Sequence, residues 1–345
     1  MILKPKLSML GRTDMEKIHE ATLKILADTG VAFQSEAALD YFRQHGFTIE
    51  NETVFFKPNQ VQTALEQCPE QFTFSARNPE NTLIIGDKNP SIQPASGCVY
   101  IMAGITAPLD LMGTALMQNA EMLVCTVLIQ LINPGLPVVY SPASVVGNMK
   151  RASFCTGSPE SMLINLINLH LSREFYHIPT RSLTGATDAK IPDFQAGAES
   201  MQNLMLSMLG GSEIINEALG TLESYMTLSF EKYLLDEENI RRLLRIQNGL
   251  SLTNVDRNLN LINEIGIKGD YLTHASTFNK FRELWQPTLS NWDSYDQWTQ
   301  NENNDLMILA QKRVKALINE APETLLSPSL DQELIQYMNN AGAFS

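Results

Sequence analysis

Apolar positions change rhythm along this chain, and the change divides it. Over residues 15–25, Met15, Ile18, Thr22 and Ile25 recur every three or four positions, the spacing of one helix face. Thr13-Asp14-Met15-Glu16 reads as the capping box of that helix and Gly30 as its end. A second helix is predicted from Ser35 to Gly46. A short strand at 53–56 leads through Pro58 into a third helix with Val61 and Leu65 inward. Alternating strands are predicted at 72–76, 83–85 and 98–102, with a turn at Gly86-Asp87. Residues 1–95 thus read as a small N-terminal α/β region.

Residues 96–345 alternate differently. The stretch 103–121 opens with Gly104, Thr106, Ala107 and Pro108, then sets Leu111, Ala115, Leu116 and Met122 on one helix face. A helix at 111–132 precedes a strand at 136–141, and a helix at 158–175, capped by Ser158-Pro159-Glu160, precedes a strand at 178–184. A helix at 193–209 precedes an apolar segment at 214–219. Helices at 236–248, 253–265 and 302–319 complete the pattern. Strands alternating with helices imply a parallel sheet with right-handed crossovers. Loop, helix and buried strand form the unit of an α/β barrel, whose ligands sit on strand-to-helix loops.

Charge narrows the partners. The net charge is −13, from 25 basic and 38 acidic residues, so a nucleic-acid backbone is not the expected partner. Arg241, Arg242 and Arg245 follow acids on one helix and read as a solvated face. Cys68, Cys98, Cys125 and Cys155 form no CxxC pair and sit among apolar neighbours, which predicts buried free thiols rather than a metal site. MILKPKLSML lacks the apolar core of a signal peptide, and no run of about 20 apolar residues is evident. A cytoplasmic protein with no membrane partner is the expectation.

Candidate chemistry falls on few residues. GATDAK, 185–190, follows a predicted strand, so Asp188 is either an acid, base or orienter, or a helix N-cap. In DFQAGAES, 193–200, Gln195 and Glu199 share one helix face, turned either to solvent or to the barrel mouth. His170 and His177 flank Arg173 and Tyr176 at a spacing that suits no metal motif. His274, in GDYLTHAST, follows a glycine-containing loop and is the better candidate. Dinucleotide, phosphate-loop and serine-elbow motifs are missing.

Several segments in order carry a resemblance. EKIHEATLKILADTG and VFFKPNQVQTALEQCP come first, then AGITAP and NAEMLVCTVLIQLINPGLPVVY. GSPE, TDAK, DFQAGAES, SFEKYLLDEE, GDYLTHAST and FRELWQP follow. Together they resemble the trimethylamine methyltransferase family, the MttB superfamily, over nearly the whole chain. The resemblance implies a TIM barrel that demethylates a methylated or quaternary amine. The methyl group would pass to the Co(I) of a cognate corrinoid protein docked over the mouth. The corrinoid would be the partner's, with no cofactor held tightly and no metal bound by this chain.

The resemblance also implies roles. Asp188 and Glu199 would orient or act electrostatically, and His274 would face the corrinoid. Thr187 and Gln195 would bind substrate, with Tyr140, Tyr225, Tyr233 and Phe230 offering an aromatic cage for a quaternary ammonium. Members acting on trimethylamine carry pyrrolysine in the stretch matching 195–200, whereas here Ser200 follows Glu199. The likeness is therefore to the non-pyrrolysine branch, whose quaternary substrates already carry a neutral amine as leaving group.

One departure bears on the fold. GCVYI, 97–101, matches the start of the family's barrel, whereas Met102-Ala103-Gly104 matches a point far downstream. A block is missing near residue 102. The expected fold is a TIM-barrel-like (β/α) structure, incomplete, with a helical C-terminal tail. Other segments fill the gap, or the sheet stays open, or a second subunit completes it in a homo-oligomer. A shortened, inactive paralogue that binds the corrinoid protein or a ligand is the alternative function.

Overall fold

The computed structural model describes residues 2–3, 5–87, 89–93, 101–151, 153–267, 269–300, 305–322 and 326–340. Cys98 and most of the strand predicted at 98–102 lie outside them. The chain forms two compact units, Met1–Thr288 and Leu289–Ser345.

The first unit opens with β1 (Ile2–Leu3) and α1 (Arg12–Lys24), which widens into a π turn, Ile25–Thr29, and stops at Gly30. The capping differs from the predicted box. Gly11 is the N-cap, and its N–H donates to Asp14 Oδ2 at 3.0 Å. Asp14 is the acceptor that reaches back, which starts the helix one residue before Thr13. Strands β2 (Val31–Ala32), β3 (Thr48–Glu50) and β4 (Thr53–Phe55) form an antiparallel sheet with β4 central. Helices α2 (Glu36–Gln44) and α3 (Pro58–Gln67) accompany it, and β5 (Phe72–Phe74) pairs with β6 (Leu83–Ile85).

Leu26, Phe42, Val54, Phe56 and Val61 from this layer share one core with Leu123, Val124 and Val127 of α4 (Leu111–Ile132). By length and composition α4 could cross a membrane, a feature the sequence reading passed over. Yet Gln118, Asn119 and Gln130 are buried on it. Gln118 Oε1 accepts from Ala143 N and Ser144 Oγ, and Gln130 Nε2 donates to Leu136 O. Side chains bonded to neighbouring segments mark a central core helix, since lipid would offer them no partner.

The predicted strand at 136–141 reduces to one parallel bridge, Tyr140 to Thr180. The ladder itself is β9 (Ser144–Asn148). Pro137 and Pro142 have no N–H to donate, so pairing between them is confined to Tyr140, whose N–H donates to Pro179 O and whose carbonyl accepts from Arg181 N, and the continuous ladder starts beyond Pro142. β7 (Ser91–Ile92) precedes β8 (Ile101–Ala103), which runs parallel to β9, while β10 (Ser153–Cys155) folds back antiparallel on β9. Helix α5 (Pro159–His170) continues as a π turn, Leu171–Tyr176, ended by left-handed His177 at φ 58°. It leads to β11 (Arg181–Leu183); α6 (Phe194–Gly210) then leads to β12 (Ile214–Asn216).

β11 and β12 are parallel, and β12 pairs parallel with β7 on its other side. An early strand thus lies against a late one. Among the described residues β7 and β8 remain sheet ends, and no ring of strands closes. The fold shown is mixed α/β rather than a closed barrel.

The hairpin β13 (Thr221–Leu222) and β14 (Thr227–Leu228) precedes α7 (Phe230–Gln247). α7 starts six residues ahead of the predicted 236 because Ser229 Oγ accepts from Lys232 N and caps it. β15 (Leu250–Ser251) pairs with β1, and α8 (Val255–Ile265) and α9 (Ala275–Lys280) end the unit. The second unit holds α10 (Tyr295–Gln300), α11 (Leu306–Glu320) and α12 (Pro328–Asn340), the last not foreseen. Cys68, Cys125 and Cys155 are free, as expected, but none of the three is fully buried: Cys68 and Cys155 are partly exposed, and Cys125 is exposed on α4.

Candidate functional site

The loops leaving β11 and β12 pack together through glycine. Thr184 N donates to Asn216 O and Gly185 N to Glu217 O, extending the ladder past both strands. A Cβ on Gly185 would lie 2.2 Å from Glu217 O, so no other residue fits. Both loops therefore leave the same, C-terminal, end of the sheet. The N-terminus of α6 comes to the same end, capped by Asp193, whose Oδ1 accepts from Ala196 N. The cap predicted as one option for Asp188 is thus taken by Asp193.

Asp188 instead gathers three segments. Oδ1 accepts from Thr156 N at 3.0 Å, Thr156 Oγ1 at 2.9 Å and Ser224 Oγ at 2.5 Å, and Oδ2 from Gly157 N at 3.2 Å. Glu199 Oε2 accepts from Thr187 Oγ1 at 2.5 Å and Asp188 N at 2.8 Å, and Oε1 from Gln195 Nε2 at 2.8 Å. Gly157 lies so close to Glu199 that a Cβ would stand 2.2 Å from Oε2. Thr187, Asp188, Gln195 and Glu199 form one cluster. Both carboxylates are surrounded by donors, which suits orientation and a negative field rather than proton abstraction. Burial, then the charges of Asp188, Glu160 and Glu199, push the nearby Cys155 thiol up, so it stays protonated.

A strained turn clasps this cluster. Glu223, Ser224 and Tyr225 take φ values of 50°, 50° and 75°, three left-handed residues in a row. Each such residue without glycine costs on the order of 1 kcal/mol or more. Glu223 N donating to Ala189 O and Ser224 N to Thr187 O, both at 2.9 Å, hold the turn in place. Tyr225 sits partly buried at this tip.

Behind the cluster lies a fully buried ion pair, Lys232 and Asp236, 1% and 2% exposed. Nζ donates to Asp236 Oδ2 at 2.5 Å, Ser200 Oγ at 2.9 Å and Gly185 O at 3.1 Å. Asp236 Oδ2 also accepts from Gly220 N at 2.8 Å. Burial pulls the Lys232 ammonium below its usual range, against the pull of Asp236, and pushes the Asp236 carboxyl up. Neither this pair nor buried Glu217 is among the candidates expected from the sequence. A signal existed for the pair: 232, 236, 240 and 243 lie on one stripe of α7, and Ile240 and Leu243 belong to the core.

The remaining candidates lie elsewhere. Tyr140 is buried in the main core, with its hydroxyl donating to Asn119 Oδ1 at 2.7 Å. Tyr233 packs, partly buried, against the core cluster that contains Leu204, Met208 and Ile215, and Phe230 stands exposed at the start of α7. His274 caps α9 by accepting from Ser276 N at 3.1 Å, and its Nε2 lies 3.6 Å from Glu264 Oε1. It lines a cleft of about 540 Å³ with Arg257, Leu261 and Asn279. Among the described residues no three His, Cys, Asp or Glu side chains are arranged to hold a metal ion.

A family model, trimethylamine methyltransferase (MTTB), matches residues 3–102 and 98–343. The chain is 26% identical to a glycine betaine methyltransferase of Desulfitobacterium hafniense (strain Y51), covering 99% of this chain and 98% of that protein. It is 36% identical to a proline betaine:corrinoid methyltransferase of Eubacterium limosum, over 65% of this chain and 46% of that protein. An L-carnitine:corrinoid methyltransferase of the same organism is 35% identical, over 68% and 49%. The chain spans about half the length of those last two relatives. The first alignment runs over 472 positions against 345 residues here, so more than a hundred positions have no counterpart. The two family matches meet at 98–102, where the motifs put the missing block.

Proposed function

The chain belongs to the trimethylamine methyltransferase family, and we propose that it moves a methyl group from a quaternary amine of the betaine kind to the Co(I) of a cognate corrinoid protein. The observation that carries this reading is the convergence of Thr187, Asp188, Gln195 and Glu199 where β11 and β12 end. Parallel α/β proteins bind ligands at that end. We take the sheet as part of a TIM barrel of the non-pyrrolysine branch, a reading supported by β7 pairing parallel with β12, an early strand beside a late one.

The C–N bond to the methyl carbon would break with its electron pair going to nitrogen, leaving a neutral tertiary amine. The carbon would bond to cobalt, which gives up two electrons. No proton moves, so the reaction asks for placement and field rather than for a base. Asp188 and Glu199 supply a negative field for a cation. Tyr225 at the clasp offers a ring face. The corrinoid arrives as a reactant on the partner and supplies the nucleophile. Ile191, Phe194, Met226, Leu228 and Phe230, all at least 55% exposed, rim the loops and would meet that partner. His274 would serve at the partner's edge, in the cytoplasm.

The test is spectroscopic. Purified protein is mixed with a reduced corrinoid protein and glycine betaine, proline betaine, carnitine or trimethylamine, and the Co(I) absorbance is followed. Loss of the Co(I) band with a quaternary amine is the expected result. The missing block favours a second reading, a shortened paralogue that docks the corrinoid protein without turnover. Measurable docking with no spectral change for any amine would select it.

A further inference from the structure

We propose that the buried Lys232–Asp236 pair is a positioning device that holds both loops of the site at their glycines, a role separate from its contribution to stability. Lysine has three protons to donate, and here each has an acceptor on a different segment. Asp236 Oδ2 closes the pair on α7, Ser200 Oγ lies on α6, and Gly185 O lies on the loop after β11. Ser200 Oγ itself donates to Gly185 O at 3.0 Å, so that carbonyl is held twice. The loop after β12 is gripped through Gly220 N on Asp236.

Both gripped residues are glycines that the backbone requires. Gly185 cannot carry a Cβ against the 217–218 backbone, and Gly220 is left-handed at φ 78°. From Gly185 the chain runs three residues to Asp188, and from Gly220 four residues to Ser224. Ser224 Oγ then donates back to Asp188 Oδ1. Lys232, Gly185, Asp188, Ser224, Gly220 and Asp236 thus form a closed circuit, and opening it at the pair frees both loops. An apolar pair of similar volume could fill the same space on α7, since replacing a buried ion pair this way is often neutral for stability. Such a pair could grip neither loop.

The experiment compares K232M, D236N and the double variant K232M/D236L with the wild type. Each is melted and followed by hydrogen–deuterium exchange. K232M strands a buried carboxylate and is expected to melt about 10 °C lower. The double variant is expected to melt within a few degrees of wild type, yet to exchange at 184–190 and 217–226 about tenfold faster, with α4 unchanged. Wild-type exchange in those loops of the double variant would overturn the proposal. So would a rise spread evenly over the molecule with a lowered melting temperature. This inference takes the Asp188 cluster as the site. If the wild type transfers methyl groups, the double variant should also raise KM and lower kcat. If the wild type transfers none, the chemical reading fails while exchange still decides the positioning.

Discussion

Two buried polar networks tie this molecule together, and they differ in charge. The first joins α1, α4 and the π turn after α5. Asn119 Nδ2 donates to Thr22 Oγ1 and Tyr176 OH, Asn119 Oδ1 accepts from Tyr140, and His19 Nδ1 lies 3.1 Å from Tyr176 OH. Its members are neutral, and burial keeps His19 so by lowering its affinity for a proton. The second network joins the loops after β11 and β12 through Asp188, Glu199, Lys232 and Asp236. Neutral groups suffice where apolar packing already brings helices together. Loops have little apolar surface to hold them, so each charge there gathers several donors or acceptors. The first network lies in the main core, and the second lies at the end of the sheet where the proposed site is.

The strongest way to break that division is at Gly185. In Gly185→Ala the new methyl meets backbone rather than a yielding side chain, and about 3 kcal/mol should be lost in urea denaturation. Stability equal to wild type would show that the two loops do not depend on their close approach. Asp188→Asn comes next. It turns an amide N–H toward donors, so about 2 kcal/mol should go. Any methyl transfer should fall about a hundredfold through misplacement. Tyr140→Phe removes one hydroxyl from the neutral network and should cost about 1 kcal/mol. Transfer per folded molecule should stay the same. A loss of transfer equal to that in Asp188→Asn would end the distinction.

Acid should produce the smallest and most localised effect. His19 and His170 both have proton affinity lowered in the fold, chiefly by burial, from an ordinary value of 6.5. The unfolded chain then binds protons that the folded chain resists. Their stabilisation is whole above pH 6.5 and is lost as pH falls below it. Melting curves between pH 7.5 and 5.5, with His19→Gln as control, should show a slope that the control reduces. An unchanged slope would remove these histidines from the account.

Much of the helical frame was legible in the residues. The spacing through 111–132 gave α4 its bounds, and Ser35 with Gly46 bracketed α2. Helices answer to contacts three and four residues apart, so a local pattern suffices. Strands were read less well: 136–141 looked apolar enough, but Pro137 and Pro142 moved the ladder to 144–148. The cluster of Thr187, Asp188, Gln195 and Glu199 was proposed by motif and is one cluster in space. Its clasp was not visible, because Ser224 reaches Asp188 across 36 residues and Thr156 across 32.

The sequence by itself determined most of the longer helices, the family and the position of the missing block, since periodicity and ordered motifs are properties of neighbours along the chain. Only the tertiary structure decided which end of the sheet gathers the charges, that Asp193 rather than Asp188 caps α6, and that Lys232 is buried. Those outcomes depend on which distant donors meet which acceptors once water is excluded, and no local pattern records that.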